Sequence, residues 1–308
     1  MKLFSGSSHS ALAEAVSKEL SIPLGKVLLK TFSCGERYVR YEESVRGKDV
    51  FIIQTGSNPC DSAVLETCLM CQAAKLGFAK SIHVVIPHFP YARQDRVSEP
   101  REPISAKLIS DMFVTAGADH IITLALHSDQ IQGFSDVPMD SLKPDSLFVE
   151  HFKGKNLKDL VVVSPDAGGA KAAKKLADKL GADLAMMHKT RPSHQEAEIV
   201  EVVGDIEGKT AVLYDDMIDS AGSICAAKKA LVAHGANPDV YAAATHAIFS
   251  GPAIDRLKDA GFKEVVVTDS LPVSDLEVPG LVVLPIAPML AEVIEHVVKG
   301  ESVTEIYK

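Results

Sequence analysis

Three carboxylates crowd the segment TAVLYDDMIDSAGSICAAKKAL, residues 210–231. Asp215 and Asp216 end an apolar run, and Asp219 opens a short loop of Ser220, Ala221, Gly222 and Ser223. The apolar run reads as a strand. The loop then turns into a helical pattern whose first amides point outward, a ready site for an anion. Small side chains at 220 to 223 let the backbone approach a phosphate closely. Carboxylates repel phosphate, so the arrangement needs a cation between them or a ligand with hydroxyls at one end and phosphate at the other. A sugar phosphate meets both demands: the loop holds the phosphate while the aspartates accept hydrogen bonds from ring hydroxyls. A plain strand-turn-helix with capping aspartates leaves three carboxylates in five positions without a reason.

The elements that must carry this loop are legible as alternation. KDVFIIQTG, SIHVVIPHF, HIITLAL, LVVVSPD, TAVLYDD, VYAAATH, EVVVTDS and LVVLPI are short, apolar and rich in β-branched residues. Between them SAVLETCLMCQAAKLG, PISAKLISDMFVTAG, GGAKAAKKLADKLG and AGSICAAKKALVAHG carry helical spacing and end at glycine. Strands alternating with helices predict an α/β chain with mainly parallel sheets flanked by helices. Ligands of such sheets bind beyond the carboxyl ends of the strands, where Asp215 and Asp216 lie.

The chain also echoes itself. RGKDVFIIQTGSNPCDSAVLETCLMCQAAKLG aligns with EGKTAVLYDDMIDSAGSICAAKKALVAHG, with Gly47 and Gly208 separated by 161 residues, and HSALAEAVSKEL echoes AKAAKKLADKL at a similar offset. This predicts two copies of one α/β domain, 1–143 and 144–308, joined near MDSLKPDSLF, with the last residues free to pack back on the first. The first copy has QTGSNPCDS where the second has its carboxylates, so its version of the site is degenerate.

Composition bounds the remainder. A chain of 308 residues, 46% of them hydrophobic, can bury a large core. A net charge of -9 argues against a nucleic-acid surface, which needs a basic face. No apolar stretch is long enough to span a bilayer, and MKLFSGSSHSALAEAV lacks the pattern of a secretory signal, so a cytoplasmic protein without membrane partners is expected. The five cysteines include a Cys68-x-x-Cys71 pair. No second pair completes a zinc set, and the helical context favours reduced core thiols over a metal.

The 210–223 stretch resembles the phosphoribosyl-diphosphate motif of type I phosphoribosyltransferases and their relatives. Together with PYARQDR (90–96), LHSDQIQGF (126–134), VVSPDAGG (162–169) and ATHAIFSG (244–251), in order over nearly the whole chain, it resembles the ribose-phosphate pyrophosphokinases. The resemblance implies two duplicated phosphoribosyltransferase-like domains. It implies Mg²⁺-dependent transfer of a diphosphoryl group from ATP to the C1 hydroxyl of ribose 5-phosphate, with AMP released. It casts Lys189 and Arg191, in MMHKTRPSH, as the catalytic cations, on a loop that closes over substrate. It places Phe32, Cys34, Gly35, Glu36, Arg93 and Gln94 at ATP. Asp215, Asp216, Asp219 and Ser220 to Ser223, with Arg191, fall at ribose 5-phosphate. His127 and Asp166 become the metal-linked residues; magnesium favours oxygen, so Asp166 suits direct or water-mediated ligation and His127 a phosphate or a metal-bound water. His83, His234 and His296 are left as structural or surface residues. The resemblance further implies a homo-oligomer of dimers, up to a hexamer, with ATP bridging two subunits.

Departures from the family pattern are local. Cys34-Gly35-Glu36 stands where the family has Asp-Gly-Glu or Asn-Gln-Glu, and Ala125-Leu126-His127 where it has Asp-Leu-His, which removes a carboxylate near the metal. DSAGS replaces the common DTGGT, a change conservative in size. VSEPREP after ARQDR is less basic than usual, though Arg101 is kept. Two other readings share the motif: a phosphoribosyltransferase, which has no use for YARQDR or a second degenerate domain, and a catalytically silent regulatory homologue, which Cys34 and Ala125 favour and the retained Lys189, Arg191, Asp166 and His127 oppose.

Overall fold

The computed structural model describes residues 1–190, 199–273, 276–304 and 306. The chain divides into two compact units, one of Met1–Lys143, Ser270–Pro272 and Pro285–Lys308, the other of Pro144–Asp269 and Val273–Leu284. In chain order the first contains β1 (Lys2–Ser5), α1 (Ser10–Leu20), β2 (Val27–Thr31), β3 (Arg37–Tyr41), β4 (Asp49–Ile53), α2 (Cys60–Leu76), β5 (Ser81–Val85), α3 (Ser105–Ala116), β6 (His120–Leu124) and β7 (Met139–Leu142). The second contains α4 (Asp145–Gly154), β8 (Leu160–Ser164), α5 (Ala170–Leu180), β9 (Asp183–Thr190), β10 (Ile199–Val203), β11 (Thr210–Ile218), α6 (Gly222–Ala233), β12 (Tyr241–Ala247), α7 (Ala253–Ala260), β13 (Glu264–Thr268) and β14 (Leu281–Leu284). The chain then re-enters the first unit with α8 (Ala287–Lys299), which packs against α1.

The first unit's main sheet runs β1-β4-β5-β6-β7, every pairing parallel. The second runs β10-β9-β8-β11-β12-β13-β14, parallel except for the β9–β10 hairpin at its edge. Removing that hairpin leaves β8-β11-β12-β13-β14, the first unit's order repeated. Gly47 and Gly208 adopt the same left-handed conformation, φ 66° and 70°, and each donates its N–H at 2.8 Å, to Phe78 O and Gly235 O. Positive φ at equivalent turns explains why both copies have glycine there.

Central strands are buried on both faces, which is why they read as unbroken apolar runs. Val50 to Ile53 and Val161 to Val163 are shielded from solvent, and β12 is buried along its whole length with alanine at 242, 243 and 244. Cys71 lies in the first unit's core and Cys68 packs against that core.

Two differences from the sequence reading concern the site. The strand expected to end at its aspartates continues through them to Ile218, because β12 pairs with it as far as Ala247 while β8 stops at Leu213. The segment read as the join between domains contains β7 and the start of α4; four residues at a sheet edge give too short a pattern to be seen.

The helix that follows the aspartate loop is tied to its neighbour. Lys228 of α6 is buried, donates to Ala260 O at 2.8 Å and to Gly261 O, and lies 5.0 Å from the centre of the Phe262 ring. It thus satisfies carbonyls at the end of α7 that the helix leaves unpaired. Lys228→Met keeps the stem but loses the cap, and should cost about 1–3 kcal/mol, read as a lower urea unfolding midpoint with secondary structure intact.

Candidate active site

At the carboxyl end of the second sheet, β8 and β11 cease to pair, and three carboxylates lie on the segments that leave the ladder. Asp215 and Asp216 sit on the part of β11 that β8 no longer covers, and the Asp216 N–H donates to Asp215 Oδ1 at 2.9 Å. Asp166 is in the loop after β8, where its Oδ1 accepts from Gly169 N at 3.1 Å and Ser164 Oγ donates to its carbonyl at 2.6 Å. Burial first, then the adjacent Asp216 charge, and also Asp166, hold the Asp215 carboxyl well above the usual carboxylate range. The structure therefore brings Asp166, Asp215 and Asp216 into one electrostatic neighbourhood.

The loop beyond them is clamped from outside. Ile248 N and Phe249 N donate to Ile218 O at 3.0 and 3.1 Å, and Ser250 donates to Asp219 through its N–H (3.1 Å) and its hydroxyl. Arg256 of α7 donates from Nη1 to Ser220 O at 2.9 Å. A Cβ on Gly222 would lie 3.2 Å from the same Nη1, so a larger residue would crowd the guanidinium. Ala221 turns the chain with φ 58° before α6 begins. The sequence reading took alanine as conservative by size; in a left-handed conformation it costs about 1–2 kcal/mol that glycine does not. The turn leaves Gly222 and Ser223 opening a twelve-residue helix. Arg256 and Ser250 were not singled out from sequence; Arg256 lies 34 residues beyond Gly222, in a helix with no motif of its own.

In the first unit the candidate nucleotide residues lie on two segments. Phe32 to Glu36 form the tip of the β2–β3 hairpin, closed by Phe32 N to Glu36 O and Gly35 N to Phe32 O, both 2.8 Å. Gly35 has φ 92°, accessible to glycine and strained for other residues. The Phe32 ring is 48% exposed and rests 5.5 Å from Tyr38, so it is a surface platform and not a core residue. Cys34 is an exposed free thiol. Arg93 and Gln94 are exposed beyond β5, and Ser105 donates to Gln94 Oε1, which fixes the amide oxygen. His127 is exposed just past β6, following Ala125, whose φ of 41° suits the family's aspartate better than alanine.

Lys189 pairs with Val200 in the β9–β10 ladder, but its side chain, and all of Arg191, lie outside the described residues. His83 stacks on Phe51 at 4.3 Å and bonds Ser81 and His120, while His234 and His296 bond backbone carbonyls. Among the described residues no three His, Cys, Asp or Glu side chains are grouped to hold a metal unaided, and no helix is long and apolar enough to cross a membrane.

The raised Asp215 carboxyl sets a sign. The folded chain holds a proton there that the unfolded chain has lost above about pH 4, so stability falls as pH rises through that window. Asp215→Asn removes the dependence. It should unfold at higher temperature than wild type at pH 8, by about 1–3 kcal/mol, with the gap closing toward pH 4.

Comparison with known proteins agrees with this geometry. Residues 1–117 match the family model for the N-terminal domain of ribose phosphate pyrophosphokinase, and residues 190–308 match the phosphoribosyl synthetase-associated domain. The ribose-phosphate pyrophosphokinases of Bacillus cereus and Corynebacterium ammoniagenes are each 45% identical over 308 residues, all of this chain and 97% of theirs. The crystal structure of phosphoribosylpyrophosphate synthetase from Mycobacterium smegmatis superposes with a TM-score of 0.92 at 44% identity, covering 97% of this chain and 99% of that one. By full-length identity, by both domain matches and by fold, the chain belongs to the ribose-phosphate pyrophosphokinase family.

Proposed function

We propose that the chain transfers the β,γ-diphosphoryl group of ATP to the C1 hydroxyl of ribose 5-phosphate, forming 5-phosphoribosyl 1-diphosphate and AMP. The observation that carries this reading is the junction on β11: two aspartates held on a strand and followed at once by a clamped turn into α6. The amides of Ser220 to Ser223 receive the 5-phosphate, helped by the positive end of α6, while Asp215 and Asp216 accept hydrogen bonds from the ring hydroxyls and Asp219 holds the loop's entry. The sugar's C1 oxygen attacks the β-phosphorus and loses its proton. The bond from that phosphorus to the α–β bridging oxygen breaks, and AMP departs. Little covalent help is needed, so positioning and charge neutralisation dominate.

The second unit then supplies the sugar site and the first the nucleotide site. Phe32 stacks on adenine, with Cys34, Gly35 and Glu36 beside it; Arg93 pairs with phosphate, and Gln94 donates from its Nε2, its oxygen being held by Ser105. Lys189 and Arg191 are placed at the transferring diphosphate by motif alone, where two cations offset charge growing on the bridging oxygen; Arg191 also reaches the sugar phosphate.

The donor set suits Mg²⁺. Three neighbouring carboxylates, one of them held protonated, offer oxygen ligands, and magnesium binds through one or two carboxylates plus substrate phosphates and waters. Asp166 would hold it, with His127 contributing through phosphate or water. When bound, the ion neutralises phosphate charge and fixes the ATP chain in place. The family likeness further supports a cytoplasmic enzyme that assembles from dimers toward a hexamer.

AMP release should require ATP, Mg²⁺ and ribose 5-phosphate together, stop on adding EDTA, and fall at least about a hundredfold in Lys189→Ala. A folded sample that releases no AMP in response to the sugar would overturn the reading. Arg256→Ala, which frees the Ser220 carbonyl, should raise KM for ribose 5-phosphate about tenfold and leave KM for ATP within about twofold.

A further inference from the structure

The β2–β3 hairpin presents the nucleotide loop, yet it is not part of the first unit's main sheet; it forms a two-stranded sheet of its own. Its counterpart in the second unit, β9–β10, is held by the β8–β9 ladder. In the first unit the described link of this segment to β1 is an isolated bridge, Leu3 with Leu24, so side chains must fix the hairpin. They do so through α2. Tyr41, at the end of β3, donates to Met70 O at 3.0 Å, and Arg37, at its start, reaches Glu66 one turn earlier on the same helix face.

Glu66 is 1% exposed, and both its carboxylate oxygens are in use. Oε1 accepts from Ser7 N at 2.7 Å and Gln54 Nε2 at 2.8 Å; Oε2 accepts from Ser7 Oγ at 2.9 Å and Arg37 Nη1 at 3.2 Å. Ser7 follows β1 and Gln54 follows β4, so the carboxylate joins the carboxyl edge of the sheet to the hairpin. Arg37 is the right connection point. It pairs with Thr31, and this pair closes the loop Phe32 to Glu36.

We propose that Glu66 is a positioning residue for ATP, acting through Arg37 to hold the Phe32–Glu36 loop in its binding arrangement. This rests on the reading that the loop contacts the nucleotide. Buried charge paired to a partly exposed guanidinium is a costly way to gain stability alone, because desolvation offsets much of the attraction. It is an effective way to fix the position of a hairpin that lacks ladder bonds to its sheet, since four donors admit one carboxylate placement.

The test compares Glu66→Gln, Arg37→Met, their double variant and Phe32→Ala, each confirmed folded by circular dichroism, with KM measured separately for ATP and ribose 5-phosphate and the affinity of a non-hydrolysable ATP analogue measured at equilibrium. Glu66→Gln and Arg37→Met should each raise KM for ATP and weaken the analogue about 5- to 20-fold, leave KM for ribose 5-phosphate within about twofold, and combine to no more than the larger single effect. If Glu66→Gln fails to fold, Arg37→Met, whose side chain is partly exposed and less buried than that of Glu66, decides alone. Unchanged ATP binding in these variants, or equal loss for both substrates, with Phe32→Ala still impairing ATP, overturns the role of Glu66 and leaves the loop's assignment standing. Unchanged ATP binding in Phe32→Ala overturns the loop's assignment and the inference with it.

Discussion

Like charges do not share a strand end without compensation, and the second unit is organised around that fact. Asp215 and Asp216 stay close to Asp166 because β12 continues to pair with β11 after β8 has stopped. Had β8 run two residues further, a ladder would cover the strand end that carries them. The clamp of Ser250 and Arg256 on the following loop serves the same end from the other side, since a turn opening a helix beside carboxylates would otherwise be free to relax away from them. The crowded carboxylates are thus maintained under electrostatic load by backbone pairing.

The first unit shows what the same scaffold does when that load is removed. At the duplication offset Gln54 stands where the second copy has Asp215, and Glu66 where it has Ala227. Gln54 is fully buried, and Glu66 takes four donors from within the unit. Where the second copy gathers carboxylates at the strand end, the first copy's polar groups bond one another. The repeated scaffold thus carries a cluster of carboxylates in one half and an internal fastening at the same place in the other.

Most of this architecture was legible in the sequence, for reasons that also explain the omissions. Parallel strands buried on both faces become continuous apolar runs, so β4, β5, β6, β8 and β11 to β13 stand out; β14, an edge strand only partly covered, is apolar by composition alone, and the echo about Gly47 and Gly208 discloses the repeat. The hairpins do not stand out, because β2 and β3 are only half covered and carry no clean period. Motif spacing located the aspartate loop but could not show that Ala221 is in the left-handed region or that Arg256 reaches back across 36 residues to hold it. Glu66 was invisible for the same reason: its partners Ser7, Arg37 and Gln54 lie 59, 29 and 12 residues away, a distance that no local pattern spans. Phe32, which alone would have been taken for core, is half exposed.

The first unit is not continuous in the chain: α8, the last long helix, lies against α1, near the start. A ribosome delivers α1 long before α8, with the whole second unit made in between. Leu12, Ala13 and Val16 of α1 emerge first and are sealed in the finished unit, together with Leu290, Val293 and Ile294 of α8, which follow the whole second unit. The usual order, in which an amino-terminal domain folds while the rest is still being made, is therefore unavailable here. A chain stopped after Leu284 completes the second unit but leaves the first without α8, so the unit begun first is finished only after the second has been made, and the apolar face of α1 waits for its cover.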